Sequence, residues 1–285
     1  LTKTIETLVE DINNLFTQGH TLEDAAADYV AFKMAGTLRD RLAEVSKDRE
    51  PTLRMSNIGR PVCQLWHELH KSPKEDLPPE VRIKFLYGNL LEDMILFLAA
   101  EAGHEVTRVQ EEISVDGVVG HIDAFIDGVL VDVKSASSRA FQKFETGSLR
   151  DDDPFGYIAQ LAGYKKALAV PRAGFLAIDK TLGKICFLEV TENYDVSGRI
   201  KEVRAAVDSE TFIGRCFEDV PEGKSGNRKL PTQCSYCGYR DECWKDSNEG
   251  AGLKTFYYAK GPVYLTHVSR QPKVFEINPD YKEKQ

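Results

Sequence analysis

The chain has 285 residues, 42% hydrophobic and 29% charged, which suits one sizeable globular core with an appended subdomain. A formal net charge of −8 argues against a protein that coats nucleic acid non-specifically, because such binding needs a cationic surface. No apolar run approaches a membrane span; "MILFLAA" at 94–100 is far too short. The charge is uneven: residues 1–50 carry six Lys and Arg against ten Asp and Glu, and residues 220–285 carry eleven against eight. Six cysteines with no leader-like segment lead us to expect reduced thiols in a cytoplasmic protein, where clustered cysteines read as metal ligands.

Residues 2–18 read as a helix ending near Gln18-Gly19, and "TLED" at 21–24 resembles a capping box for a second helix to about Lys47. "RPVCQLWHELH" gives a short helix. Its "HELH" is not a zinc-protease motif, since His67 and His70 lack the i, i+4 spacing; both read as surface or packing residues. Pro78-Pro79 opens a helix through about Ala102, closed by Gly103. Its apolar stripe is Phe85, Leu86, Leu90, Leu91, Met94, Ile95 and Leu98. Glu92 lies one turn after Gly88, where the missing side chain leaves room for a strand or substrate.

A strand near 105–115 leads to a hairpin at 120–137, "GHIDAFIDGVLVDVKSAS". Asp127-Gly128 is a strong two-residue turn signal. With that loop, Ile126 pairs with Val129, Phe125 with Leu130, Ala124 with Val131, Asp123 with Asp132, Ile122 with Val133 and His121 with Lys134. One face then collects Ile122, Ala124, Ile126, Val129, Val131 and Val133 for burial, and the other collects Asp123, Asp132, Lys134 and His121. Two carboxylates directly opposite repel. A divalent cation between them, with Lys134 beside a bound water, resolves the conflict, and Mg²⁺ suits few carboxylates and several waters. A solvated outer face partly neutralised by Lys134 is the simpler alternative.

A polar loop at 135–152 follows, then Asp153-Pro154 opens a helix through about Ala169. Gln160 and Tyr164 share a face of it, with Tyr157 a turn earlier. "AGFLAID" and "KICFLEV" form a last strand pair, and another helix runs through about Ala206. The order is α-β-β-β-α-β, with extras.

Gly88-x-x-x-Glu92, Gly120-x-x-Asp123, Asp132-Val133-Lys134 and Gln160-x-x-x-Tyr164 occur in one order on helix, hairpin and helix. In this the chain resembles the PD-(D/E)xK nuclease superfamily and, within it, the RecB-type branch. The resemblance implies an α/β restriction-endonuclease-like core, a central mixed sheet flanked by helices, over residues 51–215, with a helical N-terminal extension at 1–50. It implies that Glu92, Asp123 and Asp132, helped by the Val133 carbonyl, bind Mg²⁺ or Mn²⁺, that Lys134 orients the attacking water, and that Gln160 and Tyr164, with Tyr157, position DNA. Asp132 stands where many members have Glu. The expected activity is metal-dependent DNA exonuclease action on single-stranded ends, in recombination, repair, phage DNA processing or CRISPR adaptation, with a recombination, helicase or CRISPR-adaptation protein as partner. A DNA-binding scaffold with a vestigial centre and a redox iron–sulfur protein are the alternatives.

"CSYCGYRDEC" supplies Cys234, Cys237 and Cys243, and three thiolates want a fourth. Candidates are Cys63, Cys186 and Cys216; Cys186, in an apolar strand, reads as core. The AddB-type and CRISPR-adaptation nucleases look similar here. That likeness implies Cys63 as the fourth ligand of a [4Fe–4S] cluster at 216–285, clamping the flanks around the core; Zn²⁺ suits the same ligands. Lys224, Arg228, Lys229 and Arg240, interleaved with Tyr236, Tyr239 and Trp244, either track a single strand or form a solvated face. Arg139 and Lys143 stand close enough in sequence to the metal site to cover the substrate.

Overall fold

The computed structural model of the chain describes residues 3–44, 50–74, 79–259 and 261–277. Helices are α1 (Leu8–Thr17), α2 (Asp24–Glu44), α3 (Val62–Leu69), α4 (Pro79–Glu101), α5 (Ser138–Glu145), α6 (Tyr157–Leu168) and α7 (Val196–Val207), with a few single turns besides. Strands are β1 (Val106–Thr107), β2 (Glu112–Val115), β3 (Val118–His121), β4 (Ala124–Ile126), β5 (Val129–Ala136), β6 (Ala173–Asp179), β7 (Ile185–Glu189), β8 (Val220–Pro221), β9 (Arg228–Lys229), β10 (Lys254–Tyr258), β11 (Gly261–His267) and β12 (Glu276–Ile277). The expected continuation of α2 to Lys47 and the Pro78 start of α4 lie outside the described residues.

The chain divides into two compact units: residues 1–59 with 78–201, and residues 60–77 with 202–285. The first is built on a mixed sheet in the order β1-β4-β5-β6-β7. Its β5 and β6 run parallel and the other pairs antiparallel. Ile5, Leu8 and Ile12, with Ile95, Leu96 and Ala99 of α4, bury against Ala124, Ile126, Val129, Val131, Val133 and Leu176 of the sheet. Except for Ile122, which lies outside this cluster, this is the apolar face expected of the hairpin. Phe141 and Phe144 of α5 and Leu161 and Tyr164 of α6 are also buried, and α5 packs on β5, β6 and β7. Helices thus cover a central mixed sheet, and a strand covered on both faces reads as a near-continuous buried run.

Local departures have physical causes. Residues 135–152 are not a plain loop: the Ser137 hydroxyl accepts the Ala140 N–H at 3.5 Å and starts α5. Helix α6 begins at Tyr157 rather than at Pro154, yet the Asp153 carboxylate still caps it, accepting the N–H groups of Tyr157 (3.0 Å) and Ile158 (2.9 Å). Phe85, assigned to the buried stripe of α4, is 55% exposed; burial on that helix starts a few turns later, with Ile95 and Leu96.

The second unit holds α3 and an antiparallel sheet in the order β12-β10-β11-β9-β8, with Leu230, Phe256 and Leu265 buried. Three of its strands, β8, β9 and β12, are two residues each, and no sequence motif announced β10 and β11.

Candidate functional site

Asp127-Gly128 forms the expected turn, at φ 50° and 78°, and three pairs take the expected register: Ile126–Val129, Phe125–Leu130 and Ala124–Val131. There the ladder stops. A second tight turn at Asp116-Gly117, also at positive φ, claims the preceding chain: β3 pairs with β2, His121 opposite Glu112. The N–H of Ile122 goes to the Glu111 carbonyl. The expected Asp123–Asp132, Ile122–Val133 and His121–Lys134 pairs therefore do not form. Asp123 instead turns its Oδ2 onto the N–H of Val133 at 2.6 Å, taking up a donor that the broken ladder leaves open. Direct opposition of two carboxylates is avoided.

Alternation along β5 sends Val131 and Val133 into the core and Asp132 and Lys134 to the opposite face. Asp132 is only 1% exposed, which removes the solvated-face reading. The Lys134 Nζ lies 2.5 Å from the Asp132 Oδ2, donates to the Gln160 Oε1 at 3.4 Å and stands 4.7 Å from the centre of the Tyr157 ring. The Gln160 Nε2 donates in turn to the Tyr164 hydroxyl at 3.0 Å. Glu92 reaches the same cluster from α4, where it accepts from the Gln110 Nε2 at 2.6 Å. The structure therefore brings Asp132, Lys134, Gln160, Tyr164 and Tyr157 together, with Asp123 and Glu92 close enough to feel Asp132 electrostatically. Arg139 is exposed on α5 and joins none of these contacts, while Lys143 is held by Asp152 at 2.6 Å.

The electrostatics follow from crowding. Burial pushes Asp123 well above the usual carboxylate range, and the Asp132 and Glu92 charges push it further. Burial, then Asp132 and Asp93, raise Glu92 to about 7 against the pull of Lys134 and Gln110. Asp132 is raised by burial, with Lys134 opposing. Burial alone would drive the Lys134 ammonium down, but Asp132 and Asp123 outweigh it and hold the group above the ordinary lysine value.

Lys134 thus acts on all three carboxyls, and the Asp132 Oδ1 is buried without a hydrogen-bond partner. That donor set fits a hard divalent ion. No preformed cage is closed, however: among the described residues, no three His, Cys, Asp or Glu side chains converge as a metal site. Each carboxylate is engaged by the protein, Asp132 by Lys134, Asp123 by the Val133 N–H and Glu92 by Gln110.

Gln110 escaped the sequence reading, since nothing in its local pattern ties it to Glu92. The glycines of the motifs did carry a signal. A Cβ on Gly120 would lie 2.8 Å from the Tyr164 Cε1 and 2.6 Å from the Met55 Cβ, and one on Gly88 would lie 3.4 Å from the Ser135 Oγ. Gly120 is therefore what lets Tyr164 reach the site.

The second unit gathers the thiols. Cys63, Cys234, Cys237 and Cys243 line one small pocket with His67 and Trp244. The His67 Nε2 is buried there without a hydrogen-bond partner, and the Trp244 side chain interacts with Cys234. Cys216 stands beside the set, its Sγ accepting the Cys63 N–H at 3.1 Å. Burial, then the neighbouring sulfurs, raise Cys234 to about 12, so neutral thiols prevail unless a cation favours the thiolates. His67, read as surface or packing, is 4% exposed and stacks on Tyr239 at 5.7 Å. Tyr239 and Trp244 are buried at 5% and 4% exposure and form no stacking surface for a strand; Tyr236 is exposed.

No protein-family model matches the chain, and no curated protein matches it. Among solved structures it is similar to the SSO0001 protein, at 16% identity and a TM-score of 0.42, over 74% of this chain and 94% of that one. It is also similar to an alkaline exonuclease (LHK-Exo) from Laribacter hongkongensis, at 16% identity and a TM-score of 0.40, over 60% of this chain and 94% of that one. The complex of LHK-Exo with dAMP matches with a TM-score of 0.37 at 16% identity, over 56% of this chain and 91% of that one.

A carboxylate raised in the folded state costs stability when it ionises. In chelator, Glu92 should therefore lower stability as pH rises from its ordinary 4.5 to about 7. Urea unfolding across that window should show the loss, and Glu92→Gln, which keeps a partner for Gln110, should reduce it by the Glu92 share. An unchanged pH profile in the variant would contradict the crowding.

Proposed function

We propose that the chain is a divalent-metal-dependent DNA nuclease acting on single-stranded ends, with a thiolate-held metal in its second unit. The observation that carries this reading is the buried Asp132–Lys134 pair on β5 with two further carboxylates beside it, a constellation with little structural rationale and a clear chemical one. Glu92, Asp123 and Asp132, with the Val133 carbonyl, would hold Mg²⁺ or Mn²⁺. When bound, such an ion neutralises phosphoryl charge and lowers the pKa of a coordinated water.

The chain's own residues supply the rest. Lys134 is held as an ammonium by Asp132 and Asp123, so it serves by donating hydrogen bonds to the attacking water and the phosphoryl oxygens rather than by taking a proton. Gln160 and Tyr164 are buried, at 8% and 1% exposure. We assign them to the lysine rather than to the strand: Tyr164 fixes the Gln160 amide, whose oxygen accepts from Lys134. Tyr157 covers the ammonium with its ring, and the cation–π contact adds to the orientation.

The thiols fit a metal by donor type, four sulfurs around one pocket. The resemblance to AddB-type and CRISPR-adaptation nucleases favours [4Fe–4S], and Zn²⁺ is the other occupant that four thiolates accept.

Lys134→Ala should lower the turnover of end-labelled single-stranded DNA by roughly 10³-fold while metal and DNA binding persist. Wild-type turnover in that variant would exclude the lysine, and DNA binding without metal-dependent cleavage by the unmodified chain would favour a scaffold. The anaerobically purified chain should carry iron with inorganic sulfide, and Cys234→Ala should lose the metal and stability together. Zinc without sulfide would replace the cluster with a zinc knuckle; a metal-free chain as stable as the variant would remove the centre.

A further inference from the structure

Phe155 is a large aromatic side chain left 47% exposed two residues before Tyr157. Its ring centre lies 5.6 Å from that of Tyr157, inclined by 31°, and Tyr157 is the ring over the Lys134 ammonium. Phe155 therefore continues the aromatic surface of the candidate site outward into solvent. Neither the active-site geometry nor the core accounts for it.

The loop that carries Phe155 is rigidly built. The Asp153 carboxylate accepts two N–H groups at the start of α6. Gly156 takes φ +74°, and a Cβ there would lie 2.3 Å from the Gly59 Cα, so the two backbones lock against each other. An exposed apolar ring on a pinned backbone binds at small cost in conformational entropy.

The charge around it is selective. Asp151, Asp152 and Asp153 precede Phe155, and the nearby cations Arg150 and Lys143 are already paired with Asp151 and Asp152. Such a loop repels phosphate and accepts a neutral planar group. The geometry points to Phe155 as a stacking platform for one nucleobase of the substrate strand, which sits base-first on this loop while its phosphate lies toward Lys134. This rests on the nuclease reading and deepens it. A base inside a duplex has both faces covered by its neighbours, so the platform selects an unpaired or terminal nucleotide.

The test measures binding of a short fluorescein-labelled single strand to the full chain, with Ca²⁺ replacing Mg²⁺. Phe155→Ala should weaken binding about tenfold, the scale of one lost base–aromatic stack, and Phe155→Trp should retain it. A single abasic site, moved along the strand, should at one position weaken wild-type binding by the same factor and leave Phe155→Ala binding unchanged. Equal binding by Phe155→Ala and wild type, or abasic and Phe155→Ala losses that simply multiply, would overturn the platform. Hydrolysis of methyl p-nitrophenyl phosphate by the wild-type chain with Mn²⁺ tests the nuclease reading separately. No hydrolysis of that diester or of DNA, with the abasic coupling intact, would remove the nuclease and leave the platform as a strand-binding site.

Discussion

The site depends on one electrostatic constraint: an aspartate and a lysine stand side by side on the middle strand of a sheet whose two faces are covered. Taking a charge out of water costs several kcal/mol even after relaxation, about as much as their mutual attraction returns. Asp132 and Lys134 offset each other at 2.5 Å, while burial and mutual repulsion hold the neighbouring Asp123 and Glu92 carboxyls above their ordinary range. A fold selected for stability alone would place valines there. The excess of buried carboxylate makes a cation the natural complement.

The scaffold concentrates these groups through interruptions of regular structure. A hairpin running straight through Asp123 would have set it opposite Asp132. The second hairpin, β2-β3, draws the chain away and frees the Asp123 carboxylate to meet the Val133 N–H. Gly120 then lets Tyr164 come close, since a Cβ there would lie 2.8 Å from its ring. Gly59 and Gly156 do the same for the loop before α6. Backbone contact at these points sets side-chain positions that packing of larger residues would blur.

Much of this could be read from the residues. The Asp127-Gly128 turn fixed three ladder pairs, and alternation placed Val131 and Val133 in the core and Asp132 and Lys134 together. The i, i+4 spacing put Gln160 and Tyr164 on one face. Cys63, far upstream, lines the same pocket as the three C-terminal cysteines. What escaped was set by competition between distant segments. The turn at Asp116-Gly117 outbid the longer hairpin, a cap at Ser137 made a helix out of a polar stretch, and the burial of Gln160 and Tyr164 turned them toward Lys134. Gln110 and Phe155 carry no local pattern at all; their relevance comes only from what lies beside them in space. The C-terminal sheet escaped because β8, β9 and β12 are two residues each and β10 and β11 show no clean alternation of buried and exposed positions.

Mn²⁺ binding decides whether the carboxylates on β5 and around it form the cation site we propose. Titration of the chain with Mn²⁺, followed by the loss of the free-ion paramagnetic resonance signal, should give saturable binding with a parallel rise in melting temperature. Asp132→Asn, which keeps the side chain's shape and removes its charge, should abolish both. Wild-type protein that takes up no Mn²⁺, or an Asp132→Asn variant that binds it equally well, would rule the cation site out.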